Sequence, residues 1–345
     1  MDWMIFLLIC ATFVAANLLT LRVRTYARLR LLDLPNERSS HDRPIPRGGG
    51  LAIVLAFSGA MLVWTGFSAM DWRFTVALSG GLLVAAIGFW DDHGHVPARW
   101  RMLVHLLAAG WGLYWLGGLH GLSVNGYWLA VGWIGDVFGL LFVSWMLNLF
   151  NFMDGIDGIA GVEVFYIAAA GAGLLWVAAP ECGQTMVLAL LAAATLGFLL
   201  WNWPPASIFM GDVGSGFLGF MLGLVALWSV IEERLSLIVW LILAGVFLVD
   251  ASFTLIHRML DGQRWYAAHR SHAYQKAAVL WSGHRPVTLA VLVVNLLWLL
   301  PWSVVAVRWP NYEAVCLILA YTPLLITEIW LEAGKSAELQ NVNGR

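Results

Sequence analysis

Long apolar runs, separated by short polar segments, follow one another along the whole of this 345-residue chain. Hydrophobic residues make up 61% of it and charged residues only 12%, and its mean hydropathy is +0.78. A helix needs roughly 20 apolar residues to cross the hydrocarbon core of a bilayer, and the backbone of such a segment must satisfy its own hydrogen bonds. The composition therefore predicts an all-α, polytopic integral membrane protein.

Counting runs of this length predicts about 11 transmembrane helices, and 10 is the alternative because the segment 120–136 is the least clear. The first run lacks a basic start and is expected to be a retained helix rather than a cleaved signal. No segment between spans is long enough to fold alone, so residues 1–345 are expected to form a single membrane domain. The predicted spans are 3–21, 48–66, 73–90, 102–119, 133–150, 159–178, 185–202, 213–231, 237–256, 287–307 and 313–331.

The basic residues predict the orientation of the chain in the membrane. Alternate loops collect sixteen of the nineteen Lys and Arg residues on one side, which the positive-inside rule assigns to the cytoplasm. The polar clusters of the sequence also fall on this side, whereas the opposite loops are short and plain. The predicted cytoplasmic segments are approximately 22–47, 91–101, 151–158, 203–212 and 257–286, with a tail at 332–345.

The third span ends with two adjacent carboxylates, Asp91 and Asp92. Adjacent carboxylates repel each other unless water or a metal ion solvates them, so the pair is a candidate for catalysis or metal binding. A hydrated helix end is the alternative interpretation.

The segment "NLFNFMDGIDGIAG" places Asn148, Asn151, Asp154 and Asp157 at every third position between two apolar runs. Residues three apart share a side on a helical path, so these oxygen-bearing side chains are expected to converge on one strip at the membrane edge. A turn of the Asp-Gly type would explain the glycines and one aspartate, but not two asparagines buried in an apolar run.

Two glycine-rich segments lie at predicted span starts. In "FMGDVGSGF", the carboxylate of Asp212 suits a hard cation, and the helix N-terminus with Ser215 suits a phosphate. In "RPIPRGGGL", Arg47 precedes Gly48–Gly50 and again suggests phosphate binding, although an ordinary basic loop would look the same.

The last polar loop contains "AHRSHAYQ", with His269, Arg270 and His272 following Arg264. Two histidines are too few for a zinc site, whereas a His/Arg set beside acidic clusters suits a diphosphate. A solvated basic face is the alternative. Asp250, inside the ninth span, is expected to pair with Arg258 or to support the site.

With these motifs in this order, the chain resembles the polyprenyl-phosphate N-acetylhexosamine-1-phosphate transferases, glycosyltransferase family 4, over nearly its whole length. Its first and last polar loops look most like those of the bacterial O-antigen-initiating branch, although the last loop departs from the His-x-His-His pattern of the common-antigen branch. The resemblance implies transfer of an N-acetylated sugar 1-phosphate from a UDP-N-acetylhexosamine, or a 6-deoxy variant, to undecaprenyl phosphate, with release of UMP.

The same resemblance implies a location and partners. The enzyme would lie in the bacterial inner membrane, embedded in membrane lipid, with its active site facing the cytoplasm and no nucleic-acid partner. A homodimer is compatible with it. The sequence does not decide which sugar is used, because the shape of the pocket determines that preference.

Roles follow from the motifs of the family. Asp212 would be the principal ligand of Mg²⁺, with Mn²⁺ as a tolerated substitute and Asn151 as the second ligand. Asp91, Asp92, His269 and His272 would be the catalytic residues. The substrate-binding residues would be Asn148, Asp154, Asp157, Ser215, Arg264, Arg270 and Arg47.

The chemistry favours direct attack by the lipid phosphate. A phosphate monoester has a second pKa of about 6, so the lipid phosphate is largely dianionic and leaves a general base little proton to remove. Bringing two anions together is the larger obstacle, and it calls for cations around an in-line displacement. Asp91 or Asp92 would act as base, positioning group or support for a second metal, and a covalent aspartyl-phosphate route is the alternative.

Two other functions are alternatives to this one. A secondary transporter would fit the span number and Asp250, but it should show ionisable groups at the bilayer midplane and paired broken helices. A CDP-alcohol phosphotransferase also uses paired aspartates, but its Asp-Gly-x-x-Ala-Arg motif is missing, since "DGIAG" lacks the arginine.

Overall fold

The structure, a computed structural model, describes residues 2–33, 43–68, 70–180, 182–263 and 269–335. Two short hairpins accompany the helices, and β1 (Leu32–Asp33) pairs antiparallel with β2 (Ile45–Pro46) as β3 (Gly121–Val124) does with β4 (Tyr127–Ala130). The helices are α1 (Asp2–Arg30), α2 (Gly50–Phe67), α3 (Trp72–His93), α4 (Ala98–Leu116), α5 (Trp133–Met153), α6 (Ile159–Ala178), α7 (Gly183–Asn202), α8 (Asp212–Ile231), α9 (Leu237–Leu243), α10 (Gly245–Leu260), α11 (Ala273–Leu280), α12 (His284–Val294), α13 (Leu300–Arg308) and α14 (Glu313–Trp330). A π-helical turn, Asn295–Leu299, joins α12 to α13, and a 3₁₀ turn, Pro310–Tyr312, precedes α14.

The predicted all-α polytopic architecture is confirmed, with a smaller number of membrane helices than eleven. In the described part of the chain, nine helices are long and apolar enough to cross a membrane, or ten if α9 and α10 form one bent span. The difference lies in the predicted span 102–119. A helix does occupy it, but α4 carries Arg99 and Arg101 in its first turn and is too polar to qualify. The unclear segment 120–136 contains the β3–β4 hairpin.

The ninth predicted span, 237–256, is broken rather than continuous. The axes of α9 and α10 differ by 83°, and the break falls at Ala244, between two apolar stretches without proline. A break leaves backbone groups without intrahelical partners. The Tyr321 hydroxyl donates to the Leu241 carbonyl oxygen at 2.7 Å, and the Phe247 N–H hydrogen-bonds the Glu163 carboxyl. Side chains from other helices therefore stabilise the bend.

Helix α8 forms the centre of the bundle. It packs against α2, α3, α4 and α5, and its residues from Val213 to Val230 are buried. Its small residues permit the close packing: a Cβ on Gly50 of α2 would lie 2.2 Å from the Cα of Gly214. The first residue of this helix is Asp212, so the centre of the bundle ends in a carboxylate.

Candidate active site

The N-terminus of α8 is held by Asp92, which lies at the end of α3. Its two carboxylate oxygens accept the backbone N–H groups of Asp212 and Val213, both at 3.1 Å. Gly211 makes room for this contact, because it adopts φ +77° and a Cβ there would lie 2.6 Å from Asp92. Asp92 is only 4% exposed. It therefore serves as the cap of α8 and positions Asp212.

This cap corrects one expectation. The glycine-rich start of α8 was predicted to offer free N–H groups to a phosphate. Its next two N–H groups, those of Gly214 and Ser215, donate to the Gly211 carbonyl oxygen. With Asp92 on the first two, the helix start is satisfied internally and does not bind phosphate in this conformation.

Asp91 and Asp212 are joined by Arg101, from the first turn of α4. Nη1 of Arg101 lies 2.6 Å from Oδ2 of Asp91 and 2.8 Å from Oδ2 of Asp212. The second oxygen of Asp91 accepts the Val96 N–H at 2.7 Å. Unlike Asp92, these carboxylates are partly accessible, with side-chain exposures of 13% for Asp91 and 31% for Asp212. A substrate can therefore reach both of them.

Asn151, in the last turn of α5, lies beside Asp212. Its Nδ2 donates to Oγ of Ser215 at 3.1 Å, and that hydroxyl donates to the Gly211 carbonyl oxygen at 3.3 Å. Because the amide nitrogen is used by Ser215, the amide oxygen of Asn151 is left as the acceptor. The structure thus brings together Asp212, Asn151 and Ser215, as predicted, with Ser215 orienting Asn151.

Asp154 completes the negative cluster from the other side. Burial, and then the nearby carboxylates of Asp212, Asp92 and Asp157, raise its pKa well above the ordinary value. Like charges gathered in this way favour a cation among them. Asp154 follows the last residue of α5, so it approaches the cluster from a turn and not from a helix.

The predicted strip of four oxygen-bearing side chains does not form, because α5 ends at Met153 and the turn breaks the helical path. The Asn148 amide donates back to the Ser144 carbonyl oxygen at 2.7 Å. Oδ2 of Asp157 accepts the Ala206 N–H at 2.9 Å, and its Oδ1 lies 3.3 Å from Nδ1 of His284. Asn148 and Asp157 therefore stabilise the surroundings of the site and do not line one wall of it.

Arg47 reaches the cluster from the segment before α2. Its Nη2 donates to the Asp92 backbone oxygen at 2.7 Å. The glycines that follow do not form the expected phosphate loop, because the N–H groups of Gly49 and Gly50 donate to the carbonyl oxygens of Phe209 and Met210. These backbone hydrogen bonds join the 46–50 segment to the loop before α8.

The His269 loop, residues 269–272 before α11, lies next to Asp154. Tyr274 of α11 donates its hydroxyl to the Phe152 carbonyl oxygen at 3.2 Å, and a Cβ on Gly155 would collide with that hydroxyl. The rings of His269 and His272 stack with centroids 4.9 Å apart. Burial, and then the neighbouring His272 and Arg258, lower the pKa of His269 to about 4, so this ring is neutral at pH 7.

A cavity of 260 Å³ opens between the 154–158 turn and α11. Arg270, Gln275 and His284 contribute its polar side chains, and Gly155 and Ile156 form the wall shared with the Asp154 turn. The cavity therefore adjoins the turn that carries Asp154. Arg264, predicted to bind substrate, lies outside the described residues.

The residues around Asp212 can be tested for their fit to a divalent cation. In the part of the chain that the structure describes, no group of three His, Cys, Asp or Glu side chains has an arrangement that could hold a metal ion by itself. Mg²⁺ does not need such a cage, since it is commonly held by one or two protein oxygens together with substrate phosphates and water. The carboxylate of Asp212 and the amide oxygen of Asn151 are such donors, beside carboxylates that crowd Asp154. The donor set fits Mg²⁺.

Sequence reasoning overlooked two residues of the site. Arg101 was counted only towards topology, although it joins the two accessible carboxylates. Asn202, 2% exposed, accepts the Gly158 N–H and donates to the Ile208 carbonyl oxygen, which ties the 154–158 turn to the loop before α8. A polar residue at the end of an apolar span was the available signal for both.

Comparison with known proteins finds similarity to one family model and to named relatives. The family model described as glycosyl transferase family 4 matches residues 74–230, which include Asp91, Asp92, Asn151 and Asp212. The chain is 29% identical over 287 residues to a probable undecaprenyl-phosphate N-acetylglucosaminyl 1-phosphate transferase of Bacillus subtilis, covering 79% of this chain and 76% of that protein. It is 31% identical over 243 residues to a phospho-N-acetylmuramoyl-pentapeptide-transferase of Gluconacetobacter diazotrophicus, covering 61% of this chain and 65% of that relative, slightly under two thirds.

Proposed function

We propose that the chain is a polyprenyl-phosphate N-acetylhexosamine-1-phosphate transferase of glycosyl transferase family 4, which transfers a sugar 1-phosphate from a UDP-sugar to undecaprenyl phosphate and releases UMP; its similarity to this family and to the two relatives supports the proposal. One observation supports this proposal above the others. The accessible carboxylates Asp91 and Asp212 lie at one end of the helical bundle, where a water-soluble nucleotide and a membrane lipid can meet.

The reaction joins two anions, so positive charge at the site is its main requirement. An oxygen of the lipid phosphate attacks the sugar-bearing phosphorus, the bond from that phosphorus to the bridging oxygen breaks, and UMP leaves with that oxygen. Arg101, held between Asp91 and Asp212, is placed to turn to the diphosphate. Arg270, at the cavity beside the Asp154 turn, supplies a second cation.

Asp91 and Asp92 are given different tasks. Asp92 has both oxygens on the backbone of α8, so it positions Asp212 and the helix start. Asp91 shares Arg101 with Asp212 and is the carboxylate that can orient the lipid phosphate or take a residual proton from it. His269 and His272 are proposed to hold the diphosphate from the opposite side.

Asp212 and Asn151 are proposed as the residues that hold Mg²⁺. When bound there, the ion neutralises diphosphate oxygens and withdraws electron density from the phosphorus under attack. The amide contact with Ser215 keeps the Asn151 oxygen available for this purpose.

We propose a UDP-N-acetylhexosamine as the donor and a cell-surface polysaccharide of the O-antigen or cell-wall type as the destination of the product. The two relatives are named for N-acetylglucosamine and N-acetylmuramoyl-pentapeptide donors, which share the N-acetylated hexosamine. The unequal distribution of Lys and Arg between the loops supports placing the Asp212 end on the cytoplasmic face of a bacterial inner membrane.

The test uses the purified protein with undecaprenyl phosphate, Mg²⁺ and one UDP-sugar at a time. The donors are UDP-N-acetylglucosamine, -galactosamine, -quinovosamine and -fucosamine, and UMP is measured. We expect release with at least one donor, and its loss in a folded Asp212→Asn variant. No UMP with any donor would overturn the proposal, and wild-type rates in Asp212→Asn would remove Asp212 from the metal site.

A further inference from the structure

Asp250, a buried carboxylate of α10, was expected to pair with Arg258 or to support the site. It holds residues 272–274 through several hydrogen bonds. Its Oδ1 accepts from Nδ1 of His272 at 2.9 Å, from the Ala273 N–H at 3.1 Å and from the Thr254 hydroxyl at 3.2 Å. Its Oδ2 accepts the Tyr274 N–H at 3.0 Å. The side chain is 3% exposed, and its position depends on the bend that starts α10 at Gly245.

This contact determines which nitrogen of His272 carries a hydrogen. A carboxylate that already receives two backbone N–H groups acts as an acceptor, so Nδ1 of His272 donates to it. Nε2 then faces away from Asp250. The ring is thus oriented by one nitrogen and offers the other.

Two rings flank the imidazole of His272. Its centroid lies 4.9 Å from that of His269 and 5.6 Å from that of Tyr274, and both pairs of rings are stacked. The ring is therefore held by its neighbours as well as by Asp250.

On the basis of the proposed function, we propose that Asp250 is a positioning residue for sugar-phosphate transfer. Its carboxylate fixes the orientation of the His272 ring through Nδ1, so that Nε2 is presented to the nucleotide sugar. His269, stacked beside this ring, is held separately, with its Nδ1 3.0 Å from the Ser271 hydroxyl.

The first experiment compares UMP release by Asp250→Asn with that by the wild type. An amide can donate to Nδ1, which moves the ring hydrogen to Nε2. We expect kcat to fall by about 10²-fold or more. Thr254→Val, which removes one donor to Oδ1 and leaves the carboxylate, should stay within about twofold of wild type.

Two results would overturn the role of Asp250. A kcat within about twofold of wild type in Asp250→Asn would mean that the contact with His272 does not position the ring for transfer. Additive losses in Asp250→Asn and His272→Gln would mean that Asp250 does not act through this ring. We expect instead that Asp250→Asn costs nothing further once His272 is glutamine.

The second experiment does not depend on turnover or on the folding of the variant. Protein labelled with ¹⁵N-histidine is studied by NMR at pH 8, and the His272 ring is identified by its loss in His272→Gln. A ring protonated at Nδ1 supports the proposal, and a ring protonated only at Nε2 contradicts it. A wild type that releases no UMP would refute the proposed function, whereas the ring spectrum would still decide the contact with Asp250.

Discussion

Asp91 and Asp92 are adjacent in sequence but perform different work in the structure. Neighbouring side chains on a helix point in directions about 100° apart. Asp92 therefore points into the bundle towards α8, whereas Asp91 points towards Arg101. The sequence indicated that the pair was unusual, but it could not indicate which carboxylate met the helix start, since that depends on how α3 packs against α8.

Substitutions of the two aspartates should therefore differ in their effect on the stability of the protein. Asp92→Asn places an amide N–H against a backbone N–H at the start of α8, and we expect a loss of about 1–3 kcal/mol in the free energy of unfolding. Asp91→Asn should lose less than about 1 kcal/mol, because its ion pair with Arg101 is partly exposed, while UMP release falls by about 10²-fold or more. Thermal unfolding in detergent measures the difference, and equal unfolding temperatures for the two variants would contradict it.

His269 should make the stability of the protein depend on pH. Its pKa is about 4 in the folded protein and about 6.5 when unfolded, so between these values the unfolded chain binds more protons. Stability contributed by His269 is complete above pH 6.5 and is lost as the pH falls towards 4. We expect the unfolding temperature of wild type to drop more steeply than that of His269→Gln from pH 7 to pH 5; parallel curves would exclude this effect.

At the scale of elements, the helices followed from the sequence and the interruptions did not. Runs of apolar residues predicted each long helix to within a few residues, apart from α1, which continues nine residues beyond its predicted end at 21. The bend between α9 and α10 contains no proline, and it is stabilised by Tyr321 and Glu163, which are distant in sequence. Such long-range contacts leave no local pattern to read.

The bend itself can be tested with Tyr321→Phe. This change removes the hydroxyl that donates to the Leu241 carbonyl oxygen and keeps the ring, so we expect a loss of about 1 kcal/mol in stability. Tyr312→Phe, at an exposed position before α14, is the matched control and should be neutral. Because α10 carries Asp250, we also expect slower UMP release in Tyr321→Phe, and unchanged stability would contradict the role assigned to this hydroxyl.

At the scale of the whole molecule, the site could be predicted as a set of motifs but not as a set of contacts. Alternating loops correctly brought Asp91, Asn151, Asp212 and the histidine loop to one end of the bundle. The predicted strip that includes Asn148 and Asp157 does not form, because these side chains hydrogen-bond to backbone groups nearby. The two predicted glycine phosphate loops do not form either, because their N–H groups donate to protein oxygens.

The orientation of the bundle remains to be measured, and a native cysteine offers the means. Cys182 precedes α7, at the end of the bundle opposite to Asp212, and is partly exposed. In a background with Cys10→Ala and Cys316→Ala, an impermeant maleimide should label Cys182 in cells whose outer membrane alone is opened. A cysteine introduced by Ser282→Cys, together with Cys182→Ala, should react only after the inner membrane is opened. The reverse pattern would place Asp212 outside.

The central claim is that the sugar leaves its nucleotide together with one phosphate. It is tested most directly with UDP-N-acetylglucosamine, or whichever UDP-sugar of the panel is accepted, labelled with ³²P at the sugar-bearing phosphate, undecaprenyl phosphate and the purified protein. We predict that the label appears in the lipid product and that the released nucleotide is unlabelled UMP. Label recovered in UDP, with the sugar alone on the lipid, would contradict this account of the protein.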